Sequence, residues 1–359
     1  MKSVSMKTAV SSVAAGLAAA ALAVTTMATV AVAQEITLRV ANYGGVFTAS
    51  QKKYVADIFT QRTGIKVQYI DGNPADHLAK LIASKGREPP FDIVYAEDDV
   101  QARGIEAGVL MKIDPALISN VKFLYDEAKN KQGYGPGLLF NSIGIAYDVE
   151  KLKAAGIPEI TSWEDLWNPK LAGRVAIPDL STIMGRSFLV AATRLAGGNE
   201  SSLEKGIDKI ATLKAHSFYT SSAALENQFR GGEVWAAPWI NGRAWGMIDK
   251  GAPMRYVIPK EGGIGFIAVI DVVAGTKHPK EAMAYINAVL DPLGQLGQAN
   301  ETPYGPTNKS LAPVLADYPE LSKKFPASPA DLKALYLPDW TTYNKNAEKA
   351  FDLWNRMKK

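Results

Sequence analysis

Hydrophobic and polar positions set out the architecture first. Ile36-Thr37-Leu38-Arg39-Val40-Ala41 alternates and is rich in β-formers, which predicts a strand running into the turn Asn42-Tyr43-Gly44-Gly45. Residues 50–63 carry Tyr54, Val55, Ile58 and Phe59 at helical spacing, and Gly64 supplies the stop. A second strand is expected at 65–70, a helix at 75–84 with Leu78, Leu81 and Ile82 inward, and a third strand at 91–96. Strands alternating with helices imply a mostly parallel sheet with helices on both faces.

The pattern changes near residue 140. "LLFNSIGIAYD" at 138–148 is a long apolar extended run, followed by a short helix at 150–154. Ser162 with Asp165, or Thr161 with Glu164, forms a capping box for a helix that Pro169 ends. A strand at 174–177, helices at 183–196 and 201–215, and a strand at 234–239 make a second α/β unit over about 143–267. Trp163 and Trp167 read as core of that unit. "GFIAVIDVVAG" at 265–275 is a second long extended run, consistent with a return crossover, and the tail from 279 is helical with Pro-rich breaks. Two units joined by extended segments predict two lobes with a cleft. Ligands of such sheets sit at strand carboxyl ends, here Tyr43 to Val46, Ala96 to Asp99, and Pro178-Asp179.

The first 33 residues stand apart. Lys2 and Lys7 precede an uncharged run, 8–33, ending on Ala31-Val32-Ala33, the small-x-small pattern of a cleavage site. This predicts a secretory signal removed near Ala33, with a membrane anchor as the competing reading. The chain of 359 residues has no cysteine, so disulfides and an N-terminal lipid-cysteine anchor are excluded. The expected location is the periplasm of a Gram-negative bacterium.

The formal net charge is +4, falling to +2 without Lys2 and Lys7, and no basic run suggests nucleic acid. No G-x-S-x-G elbow, P-loop or dinucleotide fingerprint is present. His77, His216 and His278 are far apart, which argues against zinc and places each at a surface or helix end. The reading therefore contains no catalytic residue, no metal and no cofactor.

"FTQRTGIKVQYIDG" at 59–72, followed by "FDIVYAEDD", is similar to segments of bacterial ABC-transporter solute-binding proteins. "TSWEDLWNPKLAGRVAIPD", "GEVWAAPWINGRAW" at 232–245, "IPKEGGIGF" at 258–266 and "PYGPTN" at 303–308 resemble the spermidine/putrescine-binding branch, in order along nearly the whole mature chain. The resemblance implies a type II periplasmic-binding-protein fold, α/β, with two lobes of mostly parallel sheet flanked by helices. It implies an N-terminal lobe of 34–142 plus 268–312 and a C-terminal lobe of 143–267 plus 313–359. It also implies hinge closure on a small solute, and delivery by a monomer to an inner-membrane ABC permease with its ATPase.

This chain departs from the polyamine receptors at the ligand. Their Trp and Asp after "E-G-G-I" correspond to Phe266 and Ala268, so a carboxylate is missing unless Asp271 replaces it by a register shift. Asp179 matches their other Asp, and Tyr304 matches a family tyrosine. Trp239 precedes Ile240-Asn241-Gly242, and Arg243 stands where a small residue is usual. Glu97, Asp98 and Asp99 occupy positions that hold Ser and Tyr in those receptors. They either meet an ammonium group, or Asp98 or Asp99 caps the next helix with the other acids in water. Arg243, with Arg186 as a further candidate, suits a carboxylate, phosphonate or sulfonate. The backbone of Tyr43-Gly44-Gly45 would also suit an anion, and both Arg side chains read equally as surface residues. Trp239, Trp245, Tyr43, Phe266 and Tyr304 offer aromatic walls. The expected solute is a polyamine or an amphoteric amino compound such as a γ-amino acid. An anion receptor, a thiamine receptor, and a secreted enzyme on the same fold are the alternatives.

Overall fold

A computed structural model describes residues 35–358. The expected signal segment at 1–33 therefore lies outside the described residues. No helix among them is long and apolar enough to cross a membrane.

Nine strands carry the framework: β1 (Thr37–Asn42), β2 (Lys66–Asp71), β3 (Ile93–Glu97), β4 (Gly137–Asp148), β5 (Val175–Pro178), β6 (Ala215–Tyr219), β7 (Ala236–Ile240), β8 (Met254–Val257) and β9 (Gly263–Val272). Their main path runs β2-β1-β3-β9-β4-β7-β5-β6, with β8 on β4. β1 is parallel to β2 and β3, and β5 is parallel to β6 and β7. Between these parallel groups β9 and β4 run antiparallel to each other and to their outer neighbours. Short strands Gly305–Pro306 and Leu335–Tyr336 add to β4 and β9.

The two long strands belong to two cores. Leu138, Leu139 and Phe140 of β4 pack with β1 and β3, whereas Ile143, Ile145 and Tyr147 pack with β5. β9 divides likewise, with Ile264 and Phe266 in the second core and Ile267 to Val272 in the first. β4 and β9 are buried along their whole length, which explains their continuous apolar reading. Leu332 sits in the first core, while the closing helix Trp340–Met357 buries Trp340, Tyr343, Ala350 and Trp354 in the second.

Several local expectations change. The helix expected at 50–63 begins at Gly45, and a π turn over Lys52–Ala56 interrupts it before Asp57–Thr63. The helix expected at 201–215 ends at Ala211, and Ala215–Tyr219 is instead an edge strand beside β5. Helices Ser222–Arg230 and Asn241–Ile248, with β8 after them, lay hidden in sequence that is polar on the exposed side. Ser162 and Asp165 do form a capping box. Trp163 is buried in the second core and Trp167 packs against it half-buried. His77 overturns its reading as a surface or helix-end residue. It is buried, edge-on to Phe91 at 5.0 Å, and burial lowers its pKa.

Candidate functional site

Both parallel groups end their strands at one cavity of about 740 Å³. From the first lobe come Tyr43 to Phe47, following β1, and Glu97, closing β3. From the second come Ile240 and the helix Asn241–Ile248, which presents Gly242 and Arg243. The crossing strands supply a shared wall. Glu97 pairs with Ala268, Ala268 with Leu139, and Phe266 with Asn141. With side chains alternating along each strand, Glu97, Ala268, Leu139, Phe266 and Asn141 face the same way, and all five line the cavity. Tyr304 arrives from the turn before Gly305–Pro306.

Two glycines shape the walls. Gly44 has φ of 90°, where a side chain is strained, and a Cβ there would also press on Asp71 at 3.1 Å. A Cβ on Gly242 would lie 2.4 Å from the Tyr304 ring, so this glycine makes the room that Tyr304 fills.

The charged groups of the lining sort into partnered and free. Lys324 and Asp249 form an ion pair at 2.7 Å, and Glu301 takes Lys53 and Tyr54 at 2.9 Å. Arg243 and Lys250 make no hydrogen bond or ion pair with any described residue, and the Glu97 carboxyl makes none with any side chain. Burial pushes the Glu97 carboxyl up to about 7; Asp99 adds to this and Arg186 opposes it. The Tyr43 hydroxyl is buried without a partner, and its ring packs edge-on to Phe47 at 5.0 Å. Burial, reinforced by Glu97, Asp98 and Asp99, keeps that phenol protonated.

Tyr43, Gly44, Glu97, Arg243, Phe266 and Tyr304 are thus brought together, and seven other candidates are placed elsewhere. Asp98 turns to a separate recess beside Trp340, and burial, reinforced by Asp99, raises its pKa. Asp99 is engulfed, with Oδ2 2.7 Å from Arg186 Nε and its carbonyl accepting from Asn344. Neither acid caps the helix Asp98–Glu106 by a side-chain hydrogen bond; both lie in its first turn, where the helix dipole favours them. Arg186 is thereby spent on Asp99 and leaves the cavity.

Asp179 accepts from Ser181, Trp354 and Lys358, so it anchors the closing helix. Trp239 is wholly buried, stacked on Phe229 and donating to Ser222. Asp271 accepts from the Gln101 amide and the Gly135 N–H in the first core, so the register does not slip to bring it round. Its carboxyl is raised to about 7 by burial against those two bonds. Trp245 is also off the cavity wall, near Lys323 and Lys324.

Asn141 is a lining residue that sequence reasoning passed over. Its signal was present, since it is a polar amide at the centre of the apolar run 138–148.

Two lobes joined by crossing strands, with a largely apolar cavity carrying a few charged groups at the joint, define a protein built to enclose a solute. The family model described as bacterial extracellular solute-binding protein matches residues 54–351, and the chain belongs to that family. The putrescine-binding periplasmic protein PotF of Escherichia coli K12 is 25% identical over 345 residues, covering 89% of this chain and 90% of that protein. A crystal structure of an ABC transporter protein from Clostridium perfringens ATCC 13124 superposes with a TM-score of 0.76 at 28% identity, covering 89% and 99%. The structure of the Atu4243 GABA receptor has the same fold, with a TM-score of 0.76 at 20% identity, covering 90% and 98%. The fold is the two-lobed type II fold of periplasmic binding proteins. The chain is the solute-binding component of an ABC transporter, a member of a binding-protein family and not an enzyme.

Proposed function

We propose that this protein captures a small amphoteric amino compound, such as a γ-amino acid, between its lobes and hands it to an ABC import permease. The observation that carries this reading is unspent charge of both signs on one cavity, Glu97 from the first lobe and Arg243, with Lys250 near it in sequence, from the second. An ammonium group satisfies the carboxylate, and a carboxylate satisfies the guanidinium by a forked contact. Phe266, Tyr43 and Tyr304 enclose the methylenes between them. Bridging charges on opposite lobes gives the solute more contact in the closed form than in the open one, which is what drives closure. The diamine named for PotF supports the amine half of the solute, and Arg243 disfavours a second ammonium. Export to the periplasm and action as a monomer belong to the same proposal.

The test is a thermal-shift panel on the chain from Gln34 onward, with γ-aminobutyrate, putrescine, spermidine, 2-aminoethylphosphonate, thiamine and glycine betaine. Ligand at 100 times its Kd adds about 2.7 kcal/mol of stability. A shift with γ-aminobutyrate and none with the diamines is the expected result. A shift with the diamines alone refutes the role given to Arg243.

A further inference from the structure

Asn141 has no hydrogen-bond partner for its side chain among the described residues, although the residue is only 4% exposed. Neither polar atom of the carboxamide is sealed from solvent, so the amide is available to a solute rather than stranded in the core. What solvent exposure it retains opens into the cavity it lines.

Its place in the ladder is specific. Asn141 pairs with Phe266 on β9, two residues along from the point where Leu139 meets Ala268, whose other neighbour is Glu97. Two strand spacings of about 4.8 Å and two residues of about 3.4 Å rise put the Cα atoms of Glu97 and Asn141 on the order of 12 Å apart on one face. Both side chains stand out from that face into the cavity, a separation that suits a chain of a few methylenes between two polar ends.

Asn141 also sits where β4 leaves the first core and enters the second, between Phe140 and Ile143. The next residue, Ser142, is tied by its N–H to Asn241 at the start of the helix that carries Arg243. The amide is thus fixed on the same scaffold as Arg243.

We propose that Asn141 is a specificity-determining residue of this cavity, its carboxamide binding the polar group of the solute farthest from Glu97 and so setting the length and charge that fit. This rests on the reading of the cavity as a site for amino compounds. With a carboxylate at that end, the amide donates to it alongside Arg243.

The experiment is titration calorimetry of wild type, Asn141→Ala and Asn141→Asp with γ-aminobutyrate and with putrescine, with thermal melts of each ligand-free variant. Loss of one hydrogen bond to a charged group weakens γ-aminobutyrate roughly tenfold in Asn141→Ala. Asn141→Asp, of the same shape, weakens it further by repulsion and shifts the ratio of the two affinities toward putrescine. If Asn141→Ala fails to fold, Asn141→Asp carries the test through that ratio. Affinities within twofold of wild type and an unchanged ratio overturn the role of Asn141. If wild type binds neither compound, the amino-compound reading falls and this inference falls with it.

Discussion

Arg186 and Asp99 give the most quantitative test of how the lobes are joined. Asp99 lies in the first turn of the helix Asp98–Glu106, whose Val100 packs in the first core. Arg186 lies on the helix Ile183–Leu195, which packs in the second. The Asp99 side chain is 2% exposed and that of Arg186 18%, at 2.7 Å. Burial acts to lower the Arg186 pKa, but Asp99, Tyr343 and Glu97 outweigh it and raise the value. Replacing Arg186 by Met strands a buried carboxylate beside the Glu97 carboxyl, and breaking such a pair costs about 3–5 kcal/mol. In a protein of this size that lowers the thermal midpoint by on the order of 10 °C. Adding Asp99→Asn removes the stranded charge and recovers most of the loss, because a buried ion pair is worth little more than a neutral replacement. A double-mutant cycle on the thermal midpoints reads the coupling. If Arg186→Met alone costs under about 1 kcal/mol, the pair behaves as a surface ion pair and the buried interlobe link is wrong.

Two further predictions separate the cavity from its supports. The Glu97 pKa of about 7 lies above its unfolded value, so its contribution to folding is present in full below the unfolded pKa and is lost as pH rises through 7. Glu97→Gln in the ligand-free protein therefore raises the thermal midpoint more at pH 8 than at pH 5. An equal difference at both pH values contradicts this. The Asp179 carboxyl is desolvated, but Lys358, Ser181 and Trp354 hold it down at about 2, so its contribution is present above the unfolded pKa and is lost as pH falls through 2. Asp179→Asn destabilises the protein at pH 7 by roughly 1.5–3 kcal/mol of lost charged hydrogen bonding, read as a lower thermal midpoint, and leaves solute affinity unchanged in calorimetry. A tenfold loss of affinity would put Asp179 in the site after all.

Much of this organisation is legible in the chain. The continuous apolar runs near 140 and 268 mark strands buried on both faces, and they are the two crossings. Strand-end positions found Tyr43, Gly44 and Glu97, and the likeness to the polyamine receptors drew attention to Arg243, Phe266 and Tyr304. Asp179, picked out by its strand end and by the likeness alike, and Trp239, picked out by the likeness, lie off the cavity wall, because neither signal fixes which way a side chain points. Asp179 turns to Lys358 and Trp354 on a helix 175 residues away in sequence, a contact no local pattern records. The three acids at 97–99 part company for a geometric reason. Glu97 is still on the strand and faces the cavity, whereas Asp98 and Asp99 have entered the helix and turn toward Trp340 and Arg186. Asn141 was readable only as an anomaly, a lone amide in an apolar run, until the register set it beside Phe266.

The most direct measurement is the affinity for γ-aminobutyrate of wild type and Arg243→Ala by calorimetry. The two-charge clamp predicts saturable binding by wild type and a fall of about 10- to 100-fold in the variant, the value of a charged hydrogen bond. Binding by wild type that Arg243→Ala leaves unchanged would contradict the account.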